Sequence, residues 1–189
     1  MMPYLTKLML DPAIGGLLLG SVVLLFATAA GHKLRDLQHF AAMFAGYQIA
    51  TFMSRRGLVW LIPAVELLLA IGLLLPATRA LAAALAAAVL LGYAAAIAIN
   101  LHAGRRLVDC GCGAPGQQRP IAGWMVWRNV LLALLASLLL LPWTARPLQW
   151  TDAITLGGGW LTIALLYAAC ERLLGELGRT RVSGIHGTP

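Results

Sequence analysis

Apolar residues in this chain fall in long unbroken runs. Five of them, at 12–30, 58–75, 80–101, 125–141 and 153–174, are long enough to cross a bilayer as helices, which takes about 17–25 residues. Leu and Ala, both good helix formers, dominate every run, and none shows the two-residue alternation of a membrane β-strand. The pattern predicts an all-α fold: a polytopic membrane helical bundle of about five transmembrane helices. Residues 1–174 are expected to form this single bundle, with 175–189 as a flexible polar tail. Ala27-Thr28-Ala29 resembles a signal-peptide cleavage site, but the run before it is long and Lys33 and Arg35 follow at once, so an uncleaved first helix is expected.

Between the first two runs, Leu37, Phe40, Phe44, Tyr47 and Thr51 recur near the helical period, with Gln38, His39 and Gln48 elsewhere on the wheel. This predicts an interfacial amphipathic helix after the first span. Ala80, Ala84, Ala88, Gly92 and Ala96 form a small-residue stripe on the third span, and Gly16 and Gly20 a second on the first. Such stripes let helices approach closely, so the first and third spans are expected to be neighbours. Tryptophans mark the interfaces, Trp60, Trp124 and Trp127 at one and Trp143 and Trp150 at the other, with Trp160 deeper.

Charge then orients the bundle. With five spans, Lys7, Arg79 and Arg146 share one face, while Lys33, Arg35, Arg55, Arg56, Arg105, Arg106, Arg119, Arg172, Arg179 and Arg181 share the other. The positive-inside rule places the second face in the cytoplasm and the N-terminus in the periplasm of a bacterial inner membrane. The net charge of +7 is thereby accounted for by topology, and nucleic-acid binding is not expected. Two charges lie inside spans, Glu66 after Pro63 and Arg128 beside Asn129. Such residues usually face the bundle interior and pair, and their depths differ by roughly one helical turn, so a Glu66–Arg128 ion pair is predicted.

The candidate chemistry sits in the third connection, at Asp109-Cys110-Gly111-Cys112-Gly113. Thiol–disulfide exchange needs a thiolate and a second thiol close by, and Cys110 and Cys112 supply both. A disulfide across one residue is geometrically demanding and hence easily reduced; the flanking glycines permit the backbone angles it needs. Arg105 and Arg106 favour thiolate and Asp109 opposes it. Cys170 ends the fifth span at the same face, either as a resolving thiol or as an inert apolar residue. No second Cys-x-Cys or His-x-x-His spacing accompanies the pair, so no metal is expected. In a cytoplasmic setting such pairs tend to be catalytic or metal-binding.

Ile62-Pro63-Ala64-Val65-Glu66-Leu67, then Asn100-Leu101-His102-Ala103-Gly104-Arg105-Arg106 leading into the cysteine motif, then Arg128-Asn129, resemble the MauE family of methylamine utilisation proteins over roughly residues 12–174. That family is related to DoxX-type membrane proteins. The resemblance implies a part in maturing methylamine dehydrogenase, a periplasmic quinoprotein with a disulfide-rich small subunit, by processing, transport or disulfide formation with a thioredoxin-like partner. It makes Cys110 and Cys112 the redox pair of a carrier rather than of a stand-alone enzyme. Glu66, Asn100 and Arg128 become supporting positions of unspecified role, beside Asp109, Arg105 and Arg106, whose charges bear on the thiolate. No cofactor is implied; the DoxX side of the relationship leaves a quinone-linked redox protein as an alternative. A small membrane transporter or chaperone with incidental cysteines is another.

Overall fold

The computed structural model describes residues 9–46, 55–105, 121–144 and 146–183, with side chains described for all of these except 45–46, 55–56, 171 and 174–183. The described residues form six helices and no strand. Asp11 caps α1 (Pro12–Arg35): its side chain accepts the N–H of Ala13 at 2.9 Å, and Pro12 opens the first turn, where its missing N–H costs nothing. Asp36 interrupts the helix, and its carboxylate accepts the N–H of His39 at 2.9 Å to start α2 (Leu37–Gly46). α3 (Arg55–Leu74) contains Pro63, and Thr78 turns the chain by donating to the carbonyl of Gly72 at 2.8 Å.

α4 (Arg79–His102) ends in a Schellman turn, in which Gly104 at φ 72° lets the N–H of Arg105 reach the Asn100 carbonyl at 3.0 Å and its own N–H reach that of Leu101 at 3.1 Å. α5 (Gly123–Leu138) is shorter than a typical span, but successive i→i−3 bonds from Leu139, Leu140 and Leu141 prolong it. α6 (Trp150–Ser183) runs past the boundary at Leu174 that hydropathy marks.

α1, α3, α4 and α6 are long and apolar enough to cross a membrane, and α5 is a shorter apolar helix among them. The protein is thus the polytopic helical membrane bundle that the hydrophobic runs predict. The amphipathic helix after the first span also forms, with Phe40 buried and its ring 6.1 Å from that of Phe44; Tyr47 and Thr51 lie outside the described residues. α4 is the central element. Its Ala82, Ala83, Ala86, Ala87 and Leu90 meet Leu69, Ala70 and Leu73 of α3 and Ala133 and Ala136 of α5, while Ile97 meets Ile121 and Met125 at the far end of α5.

The small-residue stripes act differently from expectation. Ala80, Ala84, Ala88 and Gly92 are exposed, because the buried face of α4 is set by Ala82, Ala83, Ala86 and Ala87, about two residues and so half a turn away. Gly16 and Gly20 pack against α6, not α4. A Cβ at Gly20 would stand 2.3 Å from the Trp160 ring, whose Nε1 donates to the Leu17 carbonyl at 3.1 Å, and Leu17 in turn fills the space over Gly159. The backbones of α1 and α4 do not approach each other, so the expected pairing of first and third spans is replaced by a parallel pairing of the first and last. Beyond Trp160 the described side chains of α6 are exposed on every side, as suits a helix facing lipid.

Candidate functional site

Glu66 is 1% exposed and lies among three helices. The Nζ of Lys33, near the end of α1, donates to its Oε1 at 2.5 Å, and the hydroxyl of Tyr93 on α4 donates to the same oxygen at 2.7 Å. The ammonium also lies 5.6 Å from the Phe40 ring centroid and 5.5 Å from that of Tyr93. One cation therefore joins α1 to α2, α3 and α4. Two ring faces stabilise an ammonium without hydrating it, which suits a charge held inside a bundle. The second carboxylate oxygen, Oε2, is buried without a hydrogen-bond partner among the described residues.

This corrects the predicted Glu66–Arg128 pair. α4 stands between α3 and α5, so the backbones carrying the two residues do not approach each other. Arg128 instead lies over the Trp124 ring at 5.3 Å and approaches the Tyr167 hydroxyl of α6 at 3.5 Å. Lys33 is the residue that the reading of the sequence missed as a partner, having been counted among the headgroup cations. A signal was present: it falls at helical spacing from Phe26 and Ala30, both buried, and so on the inward face of α1.

Asn100 and Asn129 are buried at the α4–α5 interface, each returning its amide to the carbonyl one turn earlier, on Ala96 at 2.9 Å and Met125 at 2.8 Å. Asn100 Oδ1 has no hydrogen-bond partner among the described residues. Arg105 is exposed where α4 gives way to the third connection. Cys110 and Cys112 lie outside the described residues, as do Asp109 and Arg106. Cys170 is a free thiol exposed on α6.

The other end of the bundle holds a second charged cluster. Arg146 forks onto Asp11, with Nε to Oδ2 at 2.9 Å and Nη2 to Oδ1 at 3.0 Å, and onto Asp152, at 2.7 and 2.9 Å. The guanidinium, aided by the N–H of Ala13, holds the Asp11 carboxyl below its ordinary 3.8. Beside it the N-terminal segment pairs with the α5–α6 connection, Leu10 donating to the Pro142 carbonyl at 2.8 Å and accepting from Thr144 at 3.0 Å. This cluster fastens the start of α1 to the α5–α6 connection and the start of α6.

Comparison with known proteins bears on the whole of this bundle. The family model of methylamine utilisation protein MauE matches residues 11–142, from the Asp11 cap through α5. The chain belongs to the MauE family. It is 35% identical over 166 residues to methylamine utilization protein MauE of Paracoccus denitrificans, with 86% of this chain and 87% of the relative covered. MauE of Paracoccus versutus is 36% identical over 169 residues, covering 87% and 89%, and that of Methylorubrum extorquens 34% over 164, covering 86% and 88%. No solved structure matches the chain significantly. The matched region of the MauE model contains Lys33, Glu66, Tyr93 and both cysteines of the third connection, whereas α6 lies beyond it.

Proposed function

We propose that this chain serves methylamine utilisation as an inner-membrane thiol–disulfide carrier that assists maturation of the methylamine dehydrogenase small subunit. The observation that carries the reading is membership of the MauE family over a region that includes Cys110 and Cys112. The scaffold around them supports it. α4 and α5 pack antiparallel, so the connection leaves and re-enters the bundle at one end, from the Schellman turn at Gly104 to the buried Ile121 and Met125.

In the exchange step, a thiolate of Cys110 or Cys112 attacks one sulfur of a disulfide in a thioredoxin-like partner, and the other partner sulfur leaves as a thiolate. The second cysteine, losing its proton, attacks the mixed disulfide and releases the partner's other sulfur. The pair ends as a disulfide, and the partner takes up two electrons and, on protonation of its thiolates, two protons. Run backwards, the same atoms oxidise the partner. The charge asymmetry puts the pair on the cytoplasmic face while the client is periplasmic, so either reducing equivalents are relayed across the bundle or the pair faces outward against that asymmetry.

The test is the double variant Cys110→Ser/Cys112→Ser. Mature methylamine dehydrogenase is expected to fall to background while the membrane abundance of the variant stays at the parental level. Normal maturation in this variant would sink the thiol mechanism and favour a transporter or chaperone. Reaction of Cys112 with a membrane-impermeant maleimide on intact cells tests the orientation, since labelling from outside reverses it.

A further inference from the structure

Lys33 is held as a ligand would be. Its ammonium has a carboxylate oxygen of Glu66 at 2.5 Å and lies 5.6 Å and 5.5 Å from the ring centroids of Phe40 and Tyr93. The walls of this cage come from α2, α3 and α4, and its occupant from α1. A carboxylate and two ring faces bind a primary alkylammonium whatever its nitrogen is attached to. They do not suit a hard metal cation, which takes about six oxygens, whereas Glu66 and Tyr93 offer three. The occupant also uses the cage incompletely: its nitrogen bonds Oε1, and Oε2 is buried without a partner among the described residues. An untethered ammonium, with three N–H groups and no stem to fix its approach, can serve both oxygens.

Lys33 also has another place to stand. Counted from Pro12 at about 1.5 Å per residue, its Cα lies close to the end of a hydrocarbon core of about 30 Å. Its side chain is 11% exposed, and the stem runs inward from headgroup level, so swinging it outward returns the ammonium to water. Exchange for another monovalent cation leaves the charge inside the bundle unchanged, which neither the loss of Lys33 alone nor the entry of a second cation does. We infer that the cage is a binding site for a small primary alkylammonium, methylammonium being the smallest, with Lys33 as its resident occupant. Binding displaces Lys33 to the interface and undoes the tie that it makes from α1 to α2, α3 and α4. The inference does not involve the cysteines.

The full chain in detergent is titrated with methylammonium chloride, with ionic strength held constant by sodium chloride, and binding is read by calorimetry and by thermal unfolding. Saturable binding to the parent protein is expected, and its absence overturns the inference without recourse to any variant. Lys33→Ala removes the resident ammonium. It is expected to bind methylammonium at least about tenfold more tightly, because a tethered competitor acts at millimolar effective concentration, and to recover thermal stability as it does so. Lys33→Ala/Glu66→Leu is expected to show neither effect. Tetramethylammonium, which has no N–H to offer Glu66, is expected to bind neither the parent protein nor Lys33→Ala. Binding that survives in Lys33→Ala/Glu66→Leu overturns the inference. Equal affinity of the parent protein and Lys33→Ala does so too, since it places methylammonium outside the seat of Lys33.

Discussion

The ammonium of Lys33 has one carboxylate oxygen and two aromatic faces for neighbours, and among the described residues it is the cation that Glu66 meets. Each charge is tolerable in the bundle only because of the other. Lys33→Met should therefore strand a buried carboxylate and destabilise the protein by about 3–5 kcal/mol, while Lys33→Met/Glu66→Leu, which removes both charges, should regain most of that loss. Reversible unfolding in detergent and denaturant measures both; a double variant as unstable as the single one would show that shape rather than charge matters there. At this scale the sequence marked Glu66, because a carboxylate in an apolar run is conspicuous. It could not name the partner, since depth along a span restricts a pair in one dimension only. Arg128 met that restriction and lies on the wrong helix; Lys33 met it only through its inward phase on α1 and the reach of its stem.

Among the elements, Gly20 and Gly92 are both glycines in apolar helices and both belong to small-residue stripes, yet their surroundings are opposite. The Trp160 ring occupies the space where a Gly20 side chain would grow, whereas Gly92 faces open space. Gly20→Leu should detach α6 from α1, read as faster proteolysis of the last helix with the rest of the bundle still protected, and Gly92→Leu should leave the digestion pattern unchanged. The reverse result would return the third span to the role that its stripe suggested. The positions of the spans were legible because hydrophobic run length is fixed by bilayer thickness. Packing faces were not, because lipid and a neighbouring helix are equally apolar, and an Ala-rich span reads alike on both sides.

Taken whole, the bundle is tied at one end by Arg146, which draws together the start of α1, the α5–α6 connection and the start of α6. Asp11 in this cluster has its carboxyl held below the ordinary value of 3.8. A carboxylate so depressed contributes stability that is complete above its unfolded value, near pH 4, and is lost as pH falls through the lower folded value. Arg146→Gln should therefore lower the thermal stability at pH 7 and flatten its decline below about pH 4. Thermal unfolding of both proteins in detergent at pH 7 and pH 3 checks this, and an acid decline as steep as in the parent protein would exclude the cluster as its source.

The sequence by itself determined the helical class, the positions of the spans, the amphipathic α2 and the presence of a cysteine pair in a connection between two spans. These follow from run length, period and residue chemistry, all local along the chain. Only the tertiary structure decided that α1 lies against α6, that α4 separates Glu66 from Arg128, and that Lys33 rather than an arginine neutralises the buried carboxylate. Those outcomes depend on which faces meet, and in a chain whose helices are apolar all round that choice rests on a few close fits, such as Trp160 over Gly20, between residues far apart in sequence.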